Sequence, residues 1–256
     1  VSDVDFGKTA ADYARHRAGF PPALPERLAA MGVLRAGLRA LDLGTGTGTL
    51  ARWLARAGCA VVGLDPAVPM LRQAQALDRE EALRIGYVAA RAERVPLPDA
   101  SLDLVTAGQC WHWFDRTRVA AEARRLLRPG GALVIAHYDW VPLPGNVVEA
   151  TERLVLEHNA RWTGAGTTGL YPAWLADVAL AGFERLETFS TDVPATYTHE
   201  GWRGRIRACA GVGASLAPDA VARFDAALAA LLRARFPAES LEVPHRVFAV
   251  VSRSPA

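Results

Sequence analysis

Glycine at alternate positions, Gly44, Gly46 and Gly48, closes the apolar run Ala40-Leu41-Asp42-Leu43 and opens directly onto a helical pattern. Leu50, Leu54 and Ala57 recur at the i, i+4, i+7 spacing of one helix face, and Gly58 suits the left-handed residue that closes a helix. Strand, glycine turn and helix in this order bring backbone N–H groups close to a bound nucleotide-like ligand. A Cβ in the turn would fill the ligand's place and forbid positive φ angles. A second apolar run, 60–64, ends in Asp65, about 20 residues beyond the first glycine. At that distance in a doubly wound sheet a carboxylate meets a ribose, whose diol donates two hydrogen bonds to it. The pattern predicts a cofactor-binding α/β domain.

The rest of the chain keeps the alternation such a domain needs. Helices are expected over 9–17, 22–31, 67–78 and 116–127, and strands over 83–89, 102–107 and 132–136. Asp115 stands where an N-cap would accept an unpaired backbone N–H, and Pro129-Gly130-Gly131 separates the last of these helices from the fifth strand. Further helices are expected over 146–159, 172–181, 201–210 and 218–235, with strands over 183–193 and 243–253. One domain is expected over 1–256. N-terminal helices (8–33) and helical insertions (141–170 and 196–238) would cap an acceptor pocket, with Trp162, Tyr171, Trp174, Tyr197 and Trp202 in part facing it.

Composition narrows the partners. The chain has 256 residues, 51% of them hydrophobic and 22% charged, with a formal net charge of +2, which describes a globular protein with no concentrated basic surface. Nucleic acid and membrane are therefore not expected partners. Cys59, Cys110 and Cys209 are scattered, which argues for a reducing, cytoplasmic setting and against a zinc cluster. No metal site is expected.

The loop reads G-x-G-x-G, with Thr49 where the dinucleotide pattern G-x-G-x-x-G has its third glycine. In that form, with Asp42 before it, the loop resembles the cofactor loop of class I S-adenosylmethionine (SAM) methyltransferases. Residues 88–99, with Ala92-Glu93 and Leu97-Pro98, resemble that family's G-x-A-E-x-L-P segment. Ser101-Leu102-Asp103-Leu104-Val105 resembles its fourth strand, and 124–131 the ending before its fifth. The resemblance covers about 10–137. It implies a Rossmann-like, mostly parallel seven-stranded sheet whose last strand is antiparallel, with helices on both faces. It further implies SAM as cofactor, with Gly44, Thr45, Gly46 and Gly48 against its methionine and ribose and Asp42 near its amino group. Asp65 would hold the ribose hydroxyls, Leu64, Pro66 and Met70 border the adenine, Ala92 and Glu93 its polar edge, and Gln109 the sulfonium. Arg91 departs from the small or acidic residue common there. Two more pieces, Asp12–Arg17 and Gln109–Asp115, are similar to the trans-aconitate methyltransferase-like small-molecule subgroup, which makes Tyr13 and Arg17 candidates for the cofactor carboxylate or the substrate.

Methyl transfer is an in-line displacement on an activated carbon, so alignment contributes most, and a general base is needed only for an acceptor that must lose a proton. His112, past the fourth strand between aromatics, is the first candidate for that base; His137 and Tyr138, past the fifth, are the next. The expected function is methyl transfer to a small organic acceptor, such as a carboxylate or a natural-product intermediate. A SAM-binding protein without methyl transfer, serving as a regulatory subunit or a cyclase, is the alternative. A nucleotide-dependent dehydrogenase is disfavoured by the loop spacing.

Overall fold

The computed structural model describes Arg15, His16 and residues 19–256. They divide between two compact units, each with its own core. The sheet unit comprises residues 19–138, 170–191 and 247–256. It begins with helix α1 (Ala23–Ala30), then β1 (Arg39–Leu43), α2 (Thr49–Arg56), β2 (Ala60–Leu64), α3 (Val68–Glu80) and β3 (Gly86–Val88). β4 (Leu102–Gly108), a 3₁₀ turn at Trp111–Trp113, α4 (Arg116–Leu126) and β5 (Leu127–Trp140) follow. The strands align in the order β3-β2-β1-β4-β5-β9-β6, where β6 is Glu184–Asp192 and β9 is His245–Arg253, and α6 (Ala173–Leu180) precedes β6. One strand of the seven is antiparallel, as expected. Gly130 N donates to Ser254 O at 3.0 Å and Ser254 N to Gly131 O at 2.8 Å, so β9 finishes where β5 begins.

β1 and β4 are buried along almost their whole length, the pattern of central parallel strands covered on both faces. Three expected strands have other limits. β3 is confined to Gly86–Val88, opposite Val62, Gly63 and Leu64, because an edge strand extends only as far as its one neighbour pairs with it. β5 starts at Leu127 rather than 132, because Pro129-Gly130-Gly131 is drawn into the sheet by the bonds to Ser254. The final strand breaks at Pro244, which has no N–H to donate.

The second unit holds 139–169, 192–246 and the described N-terminal residues Arg15 and His16. Its elements are α5 (Val147–His158), β7 (Ala195–Thr198), α7 (His199–Arg207), α8 (Pro218–Arg235) and β8 (Ser240–Val243). β7 and β8 form an antiparallel two-stranded sheet that was not expected, one strand at each end of the helical insertion 196–238. Thr198 then caps α7, its Oγ1 accepting from Gly201 N at 3.0 Å. Tyr197 and Trp202 belong to this unit's core, with Trp140 and Phe224, and Trp162 packs against it half-buried. Trp174, 3% exposed, lies in the sheet unit's core.

Candidate active site

Parallel register sets Asp42 of β1 level with Gly63 of β2 and Thr106 of β4. The Asp42 carboxylate accepts from Thr106 Oγ1 and from Thr45 Oγ1, each at 2.7 Å. It is 2% exposed, and burial pushes its carboxyl up to about 6 against the pull of the two hydroxyls. Oδ2 thus holds the loop to β1, and Oδ1 ties β1 to β4 beneath it.

The loop is bonded directly to the end of β2. Thr45 N donates to Leu64 O at 2.9 Å, and Gly46 N to Asp65 Oδ2 at 3.0 Å. Asp65 Oδ1 accepts from Ala67 N at 2.8 Å. Burial raises the Asp65 carboxyl, and the two backbone N–H groups offset part of that. Gly44, Gly46 and Gly48 have φ of 59°, 56° and 79°, yet their surroundings differ. A Cβ on Gly44 would stand 2.8 Å from Cys110 Cβ, and one on Gly48 2.7 Å from the Tyr87 hydroxyl. On Gly46 it would meet nothing nearer than Met70 Cε at 3.4 Å. Leu64 and Met70 are buried, and Pro66 is exposed.

In the segment between β3 and β4 Ala92 is buried. Glu93 Oε1 accepts from Asp115 N at 3.3 Å, while Oε2 faces Arg91 Nε at 3.4 Å. The Arg91 side chain itself is largely exposed. Asp115 caps α4 as expected, accepting from Arg118 N at 3.2 Å.

Gln109 leaves β4 at φ 67°, a left-handed conformation that strains a residue with a Cβ. Its Nε2 donates to Tyr138 O at 2.7 Å, tying the ends of β4 and β5. Trp111 is buried and donates Nε1–H to Asp177 Oδ2 at 3.1 Å. That anchors the turn and leaves His112 exposed. The His112 ring is 5.3 Å from His137, a buried imidazole that also neighbours Tyr171 at 4.8 Å and Trp174 at 5.9 Å. Tyr171 stacks on Trp174 at 4.2 Å. Tyr138 is buried, and its carbonyl is the acceptor for Gln109.

The expected residues thus gather as a bonded cofactor-loop group (Asp42, Thr45, Gly46, Leu64 and Asp65), a Glu93–Asp115 contact and a His112–His137 contact. Tyr13 and Arg17 lie outside the described residues. No cluster of three or more His, Cys, Asp or Glu among the described residues could hold a metal. Sequence reasoning missed Thr106, Cys110 and Tyr87, and named Tyr171 as a pocket aromatic without its contact to His137. A hydroxyl inside the apolar strand Leu102–Gly108 was the one available signal for Thr106; the other two emerge only from packing.

The open sheet with a glycine turn after β1 and an acid after β2 defines a Rossmann-like cofactor-binding fold. The methyltransferase domain family matches residues 41–135. A malonyl-[acyl-carrier protein] O-methyltransferase of Pseudescherichia vulneris is 32% identical over 210 residues, 77% of this chain and 80% of that relative. An uncharacterized methyltransferase of Mycobacterium tuberculosis is 38% identical over 130 residues, and the match spans 51% of this chain and only half (50%) of that relative. A solved structure described as a type II methyltransferase from Anaeromyxobacter dehalogenans is 28% identical at TM-score 0.62, covering 93% of this chain and 97% of that one. The chain belongs to the class I SAM-dependent methyltransferases, whose cofactor is S-adenosylmethionine.

Proposed function

We propose that this chain transfers a methyl group from SAM to the O, N or C atom of a small organic acceptor. The observation that carries the reading is the loop group, in which the Asp65 carboxylate stands beside Gly46, the one loop glycine with no close protein neighbour on its Cβ side. That space and that acceptor group fit a ribose and its diol. Asp65 would take the ribose hydroxyls. Gly44, Thr45, Gly46 and Gly48 would run along the cofactor, with Leu64, Pro66, Met70, Ala92 and Glu93 around the adenine and Gln109 near the sulfur. Tyr13 and Arg17 are proposed for its carboxylate, and Asp42 acts through the loop it holds.

Bound there, SAM supplies a methyl carbon already activated by its sulfonium. The protein's share is alignment, worth most when water is excluded and the reacting atoms are held near contact. The exposed His112 takes a proton only from an acceptor that must lose one; His137 and Tyr138 are placed second for that role. A carboxylate acceptor, the chemistry named for the Pseudescherichia relative, needs no base. The insertions 141–170 and 196–238 are proposed to select the acceptor, and the cytoplasm is proposed as the setting. No helix of the described residues is long and apolar enough to cross a membrane.

The test is transfer of labelled methyl from SAM into carboxylic acids, phenols and amines, by wild type and His112→Ala. Phenol methylation is expected to fall about 10²–10⁴-fold in the variant and carboxylate methylation to hold. Equal turnover of both classes in a folded variant removes His112. Failure of every acceptor class with SAM bound overturns the reading.

A further inference from the structure

Around Gly48 the turn rests on a buried polar cluster that the motifs leave unexplained. Arg52, in the first turn of α2, is 9% exposed, and its Nη1 donates to the Thr47 carbonyl at 2.7 Å. The same Nη1 stands 3.5 Å from Asp78 Oδ1 of α3, while Nε stands 3.4 Å from Glu81 Oε1. Glu81 also holds Arg56 through its other oxygen. Asp78 is 5% exposed, and the Tyr87 hydroxyl of β3 is buried in the same cluster. The point where a Gly48 Cβ would lie is 2.7 Å from that hydroxyl and 3.0 Å from Arg52 Nη1.

Two of the three loop glycines therefore owe their identity to the protein's own packing, and Gly48 owes it to this cluster. A buried ion pair is seldom more stabilising than apolar side chains of the same volume. Stability alone thus gives no reason for Arg52 and Asp78. What the guanidinium does, and a packed methylene cannot, is donate to the carbonyl of Thr47. That carbonyl lies between two glycines of positive φ, where the backbone has the widest conformational choice. Gly48 N donates to Thr45 O at 2.8 Å, so the N–H end of the Thr47–Gly48 peptide is held within the turn. Without the guanidinium that is the peptide's one remaining bond in the loop, and the cofactor would have to order its carbonyl end on binding.

We propose that Arg52, held by Asp78 and Glu81 in the cluster that contains the Tyr87 hydroxyl, is a positioning residue that fixes the carbonyl end of the Thr47–Gly48 peptide so that the glycine loop meets SAM already formed. Arg52 acts through the loop backbone and touches no reacting atom.

The test is the double variant Arg52→Met, Asp78→Leu, which leaves no unpaired charge in the space it empties. Its melting temperature is expected to stay near the wild-type value. Its dissociation constant for S-adenosylhomocysteine, by calorimetry, should rise about tenfold. Acceptor KM should not change, and the Gly48 amide should exchange faster in cofactor-free protein. Arg52→Lys keeps the charge, but one ammonium cannot serve Thr47, Asp78 and Glu81 at once. It should lose affinity in the same direction, by less. A cluster that only stabilises the fold would lower the melting temperature and leave affinity and Gly48 exchange as they are. Wild-type affinity in either folded variant overturns the proposal.

Discussion

Leu41, Val105, Leu126 and Leu133 fill the core of the sheet unit, whereas Trp140, Tyr197, Trp202 and Phe224 dominate that of the second. Buried polarity is distributed differently as well. In the sheet unit Asp42, Thr45, Thr47, Arg52, Asp78 and Thr106 gather at or beneath the glycine turn, and most of the remaining interior is apolar. In the second unit polar groups are woven through the core itself. Trp140 donates to Glu152 at 2.8 Å, Trp202 donates to Thr151 at 3.0 Å, and Arg205 lies 4.5 Å over the Trp140 ring. Tryptophan brings an N–H that must find a partner when buried, so a core built on it recruits acceptors. Buried polarity in the first unit therefore points to the functional edge, and in the second to packing.

The largest effect expected from this contrast is at Trp202, which is fully buried (0% exposed). Trp202→Ala should cost about 3–5 kcal/mol of stability in urea unfolding. Trp202→Phe, which keeps a ring but removes the N–H given to Thr151 together with part of the indole's volume, should cost about 1–3 kcal/mol. A Trp202→Phe variant as stable as the wild type would show that the N–H partners do not organise this core.

A smaller effect, read by pH, probes a buried carboxyl in each unit. The Asp42 carboxyl is raised in the folded chain from 3.8 to about 6 by burial. The native state thus holds its proton to higher pH than the unfolded state. Its stability is complete below the unfolded value and is lost as pH rises from about 4 to about 6, by about 3 kcal/mol for this group. Asp42→Asn should flatten that fall in denaturation series taken from pH 4 to pH 7. Burial raises the Glu152 carboxyl as well, so Glu152→Gln should flatten the curve in the same sense in the second unit. A wild-type slope retained in Asp42→Asn would show that the loop carboxylate is not the group titrating.

The smallest effect is a control outside both cores. Leu180, 89% exposed at the end of α6, should tolerate serine within about 0.5 kcal/mol by thermal unfolding. A larger loss would mean that surface is covered in the working protein.

The two units also differed in how far they could be read from sequence. The turn at Gly44–Gly48 and the acid at Asp65 are local patterns, and β1, α2 and β2 formed where these residues called for them. In the second unit β7 was not foreseen at the start of the insertion 196–238, because a strand of four residues is specified by its partner β8 more than by its own pattern. Tyr197 and Trp202 looked like pocket aromatics because hydrophobicity does not tell a core from a cleft. Within the site, Asp42 and Asp65 were visible but their partners were not: the Asp42–Thr106 bond follows from strand register, and the His137–Tyr171 contact from α6 meeting the sheet. Arg52 and Asp78 were not singled out, since nothing local marks a charge that packing will bury.

Gln109 gives the strand ends a mechanical property. A glycine would take its backbone angle without strain, yet could not reach across to Tyr138. The strained residue thus works as a latch: the chain leaving β4 and the chain leaving β5 share one hydrogen bond and one frame of reference. A displacement of Tyr138 is felt at Gln109 directly, and through the Cys110 thiol on Leu43 O at 3.1 Å it reaches the root of the glycine turn. Strand ends coupled in this way move together or not at all.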